Sequence, residues 1–237
     1  MGVSTSADSG RSVFIIGASR GLGQAMAAEF AGRGWQVLGT VRGEATPLHD
    51  LAAARPGAVE VATLDMTDAA QMRALRERLA DRRFDIVFVN AGVVNRRPAD
   101  TMAEAPDDEF DHVMRTNVLG AMRAIEAFGA LTKPDGVVGV MSSGQGSIAN
   151  NASGTNDVYR ASKAALNQAM ASYAGRHAGE ARAMLLLAPG WIRTELGGAN
   201  APVGVEEAMP QIVDLLVAQL GGRGLRYLDR EGRTVAW

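Results

Sequence analysis

The sequence predicts a single α/β domain, a doubly wound parallel sheet of about seven strands with helices on both faces. Short apolar segments alternate with longer amphipathic segments along the whole chain, which is the order expected for parallel strands connected by helices. The chain has 237 residues and contains no linker, internal repeat or low-complexity stretch, and this length suits one large domain. We expect residues 1–11 to form a polar, disordered tail and residues 12–237 to form the domain.

Six segments are nearly continuous in apolar residues, as expected for strands that are covered on both faces. They are 12–16, 35–41, 59–64, 85–90, 136–141 and 183–188, and a last strand is expected at 225–229 after the final helix.

Helices are predicted between these strands. Their ranges are 23–34, 69–82, 107–131, 158–176 and about 205–220. In the second of them, Met72, Leu75 and Leu79 follow the i, i+3, i+7 spacing of one buried helix face, with arginines on the opposite side.

Charge and composition exclude several functional classes. The chain has 24 basic and 26 acidic residues, a net charge of −2, which argues against binding to nucleic acid or to an anionic membrane. The absence of cysteine excludes disulfides and thiolate chemistry. His49, His112 and His177 show no metal-ligand spacing, so no metal site is predicted. No apolar run approaches the roughly 20 residues that span a bilayer, and we expect a cytoplasmic protein.

Three glycines lie between the first strand and the first helix, in the segment VFIIGASRGLGQAM. Gly17, Gly21 and Gly23 allow a tight turn and a close approach of the main chain to a pyrophosphate, while the helix N-terminus supplies N–H groups and partial positive charge. This arrangement predicts a Rossmann-type dinucleotide site.

The end of the second strand indicates which dinucleotide binds. An acidic residue there would bind the ribose 2′-hydroxyl of NAD, whereas an arginine accommodates the 2′-phosphate of NADP. The chain has Val41 and then Arg42, and Arg20 in the glycine loop offers a second cation. Although arginines are also common in solvated loops, two of them without an acidic residue favour NADP(H).

Tyr159 and Lys163 form a Y-x-x-x-K motif. Residues four apart share one helix face, and a nearby ammonium is expected to lower the phenol pKa from its usual value of about 10. A surface tyrosine beside a solvated lysine is the alternative for an isolated motif.

The ordered set of motifs resembles the short-chain dehydrogenase/reductase family. Besides the glycine loop and Y-x-x-x-K, the set comprises NAG at 90–92, an asparagine in the next helix, a serine after the fifth strand, and PGWIRT at 189–194. Residues 141–167 and 225–237 are similar, more narrowly, to the C-factor and sniffer-type carbonyl reductases.

This resemblance implies roles for matching residues. Tyr159 would donate the proton, and Lys163 would bind the nicotinamide ribose while lowering the tyrosine pKa. Ser143 would hydrogen-bond the substrate carbonyl, with Ser142 as the alternative serine. Asn117 would hold a water that links Lys163 to solvent, unless it is only a tolerated polar residue.

The resemblance also implies a cofactor site. Its residues would be Gly17, Ser19, Arg20, Gly21, Leu22, Gly23, Arg42, Asp65, Asn90, Ala91, Gly92, Tyr159, Lys163, Pro189, Gly190, Ile192 and Thr194. Thr194 would contact the carboxamide and Asp65 the adenine, although Asp65 is also a reasonable turn residue before a helix.

Two features depart from the family pattern. Ile16 stands before the first glycine, where the family usually has threonine, which is expected to loosen a turn hydrogen bond. Ser143 precedes Tyr159 by 16 residues, a few more than usual, and the extra polar residues are expected to form a loop at the substrate mouth.

These observations together predict an NADPH-dependent oxidoreductase that reduces an aldehyde or ketone to an alcohol by hydride transfer. The expected partner is a small carbonyl or alcohol, with no nucleic acid or membrane, and the resemblance suggests a homodimer or homotetramer through helices 107–131 and 157–177. An NADP-binding regulatory protein with little turnover is the alternative. A nucleotide-binding methyltransferase would explain the glycine loop but not the Y-x-x-x-K motif.

Overall fold

A computed structural model describes residues 10–237, and within them seven parallel strands form one sheet. The strands are β1 Ser12–Ile16, β2 Gln36–Val41, β3 Val59–Thr63, β4 Phe84–Val89, β5 Thr132–Met141, β6 Ala183–Ala188 and β7 Gly224–Asp229. Their order across the sheet is β3-β2-β1-β4-β5-β6-β7. The predicted doubly wound α/β architecture is confirmed.

The helices connect consecutive strands. They are α1 Gly21–Gly32, α2 Pro47–Ala54, α3 Ala69–Arg78, α4 Asp107–Met114, α5 Ala121–Phe128, α6 Asp157–Arg176 and α7 Val205–Ala218. A π-helical turn, Arg115–Gly120, joins α4 to α5, so the helix predicted over 107–131 is interrupted in its middle.

Helix α2 was missing from the sequence-based prediction. Pro47 occupies its first turn, and Thr46 forms a capping box with His49. A proline at the first helical position after a threonine is a recognised start signal, so the information was present in the sequence. The helix is only eight residues long, too short for a strong hydrophobic period.

Two hydrophobic cores lie on opposite faces of the sheet. Alternate residues of β1 point to each, with Val13 and Ile15 in one core and Phe14 and Ile16 in the other, because successive strand residues face opposite sides. The first core is covered by α1, α2 and α7, and the second by α3, α5 and α6. Burial on both faces explains why the strand sequences are nearly continuous in apolar residues.

Most strand boundaries lie within one residue of the prediction, and the start of β5 differs most. Strand β5 begins at Thr132 rather than at residue 136, because Thr132 pairs with Phe84 across an irregularity in the β4–β5 register. Most of the predicted tail, residues 1–9, lies outside the described residues. The main-chain oxygen of Arg11 accepts a hydrogen bond from the amide of Gln36 at 2.9 Å, so regular pairing starts at the edge of that range.

The strand order reverses between β1 and β4. Strand β1 pairs with β2 on one side and with β4 on the other, so the chain continues in opposite directions from this point. In such sheets a crevice opens at the carboxyl ends of the strands where the order reverses. The loops after β1, β4, β5 and β6 all leave the sheet at this edge, so residues that are far apart in sequence meet there.

Phe128 offers a test of the second core. Its ring is fully buried and packs edge-on against Phe14, with centroids 5.2 Å apart. Phe128→Ala should lower the free energy of unfolding by about 3–5 kcal/mol through lost contacts and a cavity, measured by urea denaturation. Ile148→Ala is the control, since Ile148 is 77% exposed and should cost less than about 0.5 kcal/mol. Equal losses for the two variants would contradict this assignment of the core.

Candidate active site

A cavity of about 1380 Å³ opens at the carboxyl edge of the sheet. This volume exceeds the roughly 300–1,000 Å³ of an ordinary small-ligand pocket, and it has room for a dinucleotide together with a small substrate. All predicted site residues line it except Gly23 and Asn117, which lie directly behind its wall.

The glycine loop packs against the loop that follows β4. Gly17 has φ +90°, and a Cβ atom there would lie 2.6 Å from the Cβ of Ala91. A Cβ at Gly23 would overlap the carbonyl oxygen of Gly17, and that oxygen accepts a hydrogen bond from Asn90 Nδ2 at 2.9 Å. Side chains would therefore fill the cradle, and the bare main chain at the start of α1 fits a pyrophosphate.

Thr40 in β2 holds the same loop. Its Oγ1 accepts a hydrogen bond from the Gly17 amide at 2.9 Å, and its main-chain oxygen accepts one from Ala18 at 2.8 Å. Ile16 stands where the family usually has a threonine that would bond the turn. Here Thr40 of the neighbouring strand supplies a hydrogen bond to that turn instead. A polar residue within an apolar strand was the only signal of it in the sequence.

The two predicted cations reach the cavity by different routes. Arg20 precedes α1, and its guanidinium forms an ion pair with Glu195, both side chains being well exposed. Arg42 is exposed at the end of β2. The ion pair with Glu195, which the sequence did not indicate, joins the glycine loop to the segment after β6 across the cavity.

Asp65 follows β3 and lines the cavity. Its Oδ1 accepts hydrogen bonds from the amide and hydroxyl of Thr67, at 2.8 and 2.7 Å. Burial tends to raise the pKa of this carboxyl, but these hydrogen bonds and the charge of Arg42 lower it below the ordinary value. Asp65 is thus an ionised turn acceptor beside Arg42.

Asn117 lies in the π-helical turn and is fully buried. Its Oδ1 accepts a hydrogen bond from the Val93 amide, and its Nδ2 donates to the Val93 oxygen and to Ser162 Oγ. A Cβ at Gly92 would lie 3.3 Å from both Asn117 Oδ1 and Lys163 Nζ. The asparagine therefore fixes the loop after β4 directly beside the lysine.

Tyr159 and Lys163 lie one turn apart on α6. Lys163 is buried, its Nζ donates to the main-chain oxygen of Met141 at 2.9 Å, and burial lowers its pKa to about 8. The nitrogen lies 5.7 Å from the centroid of the Tyr159 ring.

The predicted lowering of the phenol pKa is wrong for this structure. Burial raises the pKa of Tyr159, and the opposing influence is a side-chain hydrogen bond with Ser143. Desolvation disfavours the phenolate, while the lysine ammonium lies over the ring and is engaged by Met141. The spacing in the sequence correctly predicted that Tyr159 and Lys163 lie close together. It did not indicate that both side chains are removed from water.

The two candidate serines differ in their surroundings. Ser142 is buried, and its hydroxyl donates to Asn167 Oδ1 at 2.5 Å. Ser143 is partly exposed in the cavity, where its Oγ accepts a hydrogen bond from the Gln145 amide at 3.1 Å. The Ser143 hydroxyl also forms a side-chain hydrogen bond with Tyr159. The extra residues before α6 end at Asn156, which has φ +61°, and line the cavity mouth.

The PGWIRT segment forms the remaining wall. Gly190 has φ +89°, Trp191 Nε1 donates to the Gly197 oxygen at 2.7 Å, and Thr194 Oγ1 accepts from the Gly197 amide at 3.0 Å. Thr194 thus helps to close a local turn, and it also lines the cavity.

Across residues 10–237, no helix is long and apolar enough to cross a bilayer. The same part of the chain contains no group of three or more histidine or acidic side chains placed to hold a metal ion.

Known proteins share this architecture and these motifs. The family model for short chain dehydrogenases matches residues 11–202. A crystal structure of a short-chain dehydrogenase/reductase from Burkholderia multivorans with bound NADP is 54% identical, covering 96% of this chain and 99% of that one, with a TM-score of 0.94. A carbonyl reductase from Pseudomonas aeruginosa PAO1 in complex with NADP is 34% identical, covering 96% and 99%, with a TM-score of 0.87.

The sequence is also similar to that of C-signal from Myxococcus xanthus. It is 31% identical over 178 residues, 70% of this chain and 100% of that protein. The family model covers most of the chain and the similarity to the Burkholderia structure extends over nearly all of it, so the resemblance predicted from the motifs is confirmed. The chain belongs to the short-chain dehydrogenase/reductase family of oxidoreductases.

Proposed function

We propose that this oxidoreductase uses NADPH to reduce an aldehyde or a ketone to an alcohol. The observation that carries the proposal is that the hydroxyls of Ser143 and Tyr159 and the ammonium of Lys163 face one cavity whose other half is the glycine-loop cradle. When bound, the nicotinamide of NADPH supplies the hydride.

Ser143 and Tyr159 act on the substrate oxygen. As a carbonyl is reduced, negative charge develops on its oxygen, and two hydroxyl donors placed beforehand stabilise that charge. Tyr159 then transfers its proton to the oxygen as a general acid. A raised phenol pKa keeps the tyrosine protonated and ready to donate at neutral pH.

Lys163 contributes a buried positive charge beside this tyrosine. Its Nζ lies behind Gly92 and is held by Met141, a position from which its remaining donors are available to the ribose of the cofactor. Asn117 supports it by fixing the main chain at Val93. An ammonium here also stabilises the phenolate that forms once the proton has left.

Arg20 and Arg42 hold the 2′-phosphate that distinguishes NADP from NAD. Both line the cavity near the carboxyl end of β2, and β2 ends at Val41 rather than at an acidic residue that would bind the ribose 2′-hydroxyl of NAD. The NADP bound in the Burkholderia and Pseudomonas structures supports the same cofactor. The carbonyl reductase activity named for the Pseudomonas protein supports a carbonyl substrate.

The protein is further proposed to act as a homodimer or homotetramer. Phe110 and Leu119 are exposed around the α4–α5 region, and Leu119 lines a groove of about 510 Å³ together with Met114, Val118 and Met122. Apolar side chains at this position suit burial by a second copy.

The similarity to C-signal favours a second candidate, an NADP-binding signalling protein with little turnover. NADPH consumption against a panel of aldehydes, ketones and diketones separates the two. Tight NADPH binding without turnover of any of them would favour the signalling role.

Arg42→Ala tests the cofactor assignment. Loss of a charge-assisted contact to the 2′-phosphate should cost about 1.5–3 kcal/mol and weaken NADPH binding by roughly tenfold to a hundredfold, with NADH binding nearly unchanged, as measured by fluorescence titration. Arg223→Ala, which removes an exposed arginine just before β7, is the matched control. Equal losses for NADPH and NADH would overturn the assignment.

Lys163 should make cofactor binding depend on pH. Since its pKa is about 8, the ammonium is present below this pH and is lost as the pH rises through it. The dissociation constant of NADPH should therefore increase above pH 8, by up to about tenfold per unit. Lys163→Met should bind NADPH more weakly at neutral pH and lose this dependence. A variant that keeps the wild-type pH profile would contradict the role of the ammonium.

Tyr159→Phe tests general acid catalysis. The change removes one oxygen and keeps the ring, so the fold and the NADPH affinity should survive while kcat falls by about 10²–10⁴-fold. Stopped-flow or steady-state NADPH oxidation measures it, with Tyr173→Phe as the control for loss of a buried tyrosine hydroxyl. A near wild-type rate for Tyr159→Phe would remove Tyr159 from the mechanism.

The serines complete this test. Ser143→Ala should reduce kcat by about 10²-fold, as for loss of one oxyanion donor. Ser142→Ala should reduce it much less, because the Ser142 hydroxyl is bonded to Asn167. The reverse order would make Ser142 the active serine.

A further inference from the structure

The segment from Ser143 to Ala149 leaves β5, carries the active serine and forms one wall of the cavity. It contains a short 3-10 turn, Gly144–Gly146, and its outer side faces solvent, since Ile148 is 77% exposed. Sheet hydrogen bonds no longer hold this segment, so its position depends on contacts from behind.

The first such contact comes from β7. The hydroxyl of Tyr227 donates a hydrogen bond to the main-chain oxygen of Ser143, although the two residues are 84 positions apart. Tyr227 is 1% exposed, so the bond is shielded from bulk solvent. Burial raises the pKa of this phenol, which keeps it protonated and able to donate.

The second contact comes from the segment that follows β7. The Ala149 amide donates to the main-chain oxygen of Trp237 at 3.0 Å, and the Trp237 ring meets the Tyr227 ring edge-on, with centroids 5.6 Å apart. The Val235 amide donates to the main-chain oxygen of Tyr227 at 2.9 Å, so the segment after β7 folds back along that strand. One end of the wall is thus bonded to β7 and the other to the segment that follows it.

The third contact comes from α6. Asn167, one turn beyond Lys163, accepts the Ser142 hydroxyl at 2.5 Å and donates its Nδ2 to the Gly146 oxygen at 3.3 Å. A Cβ at Gly146 would lie 3.0 Å from Asn167 Nδ2. This close approach sets the wall firmly against the helix that carries Tyr159.

We propose that Tyr227 is a positioning residue for Ser143, and that Tyr227, Trp237 and Asn167 together hold the segment 143–149 in its working position. The proposal rests on the function proposed above, in which the Ser143 hydroxyl bonds the substrate oxygen. A hydroxyl displaced by even about 1 Å loses much of its effect on a transition state. Tyr227 fixes the main chain at the serine itself, so its effect on the rate passes through Ser143.

The test uses Tyr227→Phe, with Tyr173→Phe as the matched control. Tyr173 is buried as deeply, at 2% exposure, but lies at the far end of α6. In Tyr227→Phe, amide hydrogen exchange in a peptide covering 143–149 should rise by about tenfold, while exchange in α1 stays unchanged. The value of kcat should fall by about tenfold with NADPH affinity retained. Tyr173→Phe should show neither change.

A double mutant separates positioning from a general loss of structure. In a Ser143→Ala background, Tyr227→Phe should lower kcat by less than about twofold further, since both changes affect one hydroxyl. A further tenfold loss there would overturn the proposal, as would unchanged exchange at 143–149. Trp237→Ala, at a half-exposed residue, should raise exchange in the same peptide and serves if Tyr227→Phe does not fold.

Failure of the proposed function has a different signature. If the wild-type protein binds NADPH but reduces no carbonyl, the reductase assignment is wrong, and a positioning role in catalysis falls with it. Faster exchange at 143–149 in Tyr227→Phe would then show that the contact alone is real. Normal wild-type turnover with unchanged exchange and kcat in Tyr227→Phe would overturn the positioning role and leave the reductase intact.

Discussion

The main chain at Gly17 lies so close to Ala91 that no side chain fits between them. This close approach brings together the loops after β1 and β4, the two central strands on either side of the reversal in strand order. It places the N-terminus of α1 at the cavity. It also fixes the position of the loop after β4, which lies against Asn117 and Lys163. A side chain at Gly17 would force the two loops to shift, which would distort the glycine-loop cradle.

Buried polar side chains transmit this geometry through the rest of the site. Thr40, Asn117 and Asn167 are all nearly inaccessible to solvent, and each uses its hydrogen bonds on the main chain or on a neighbouring side chain of a cavity loop. A buried polar group without a partner is costly, so each is strongly held in one arrangement. These residues contribute little direct chemistry, but they determine where the reactive groups lie.

Burial also determines the protonation of the two central groups. The low-dielectric surroundings disfavour both the phenolate of Tyr159 and the ammonium of Lys163, which raises one pKa and lowers the other. A neutral phenol suits a proton donor, and a lysine with a pKa of about 8 remains mostly charged at neutral pH. In the proposed function, the charge of the lysine is available to the cofactor ribose, while the tyrosine keeps the proton that it transfers to the substrate oxygen.

The sequence by itself determined the fold class, five helical segments that cover every helix but α2, and a set of site residues of which nearly all line the cavity. Local patterns carry that information, since apolar runs mark strands buried on both faces and glycines mark the tight turn before α1. The short helix α2, the π-helical turn at Asn117 and the start of β5 were less visible, because each depends on packing beyond a local period. The tertiary structure alone decided that Thr40 holds Gly17, that Tyr227 bonds Ser143, and that the phenol pKa is raised. These properties depend on contacts between distant segments and on exclusion of water, and neither has a signature within a few neighbouring residues.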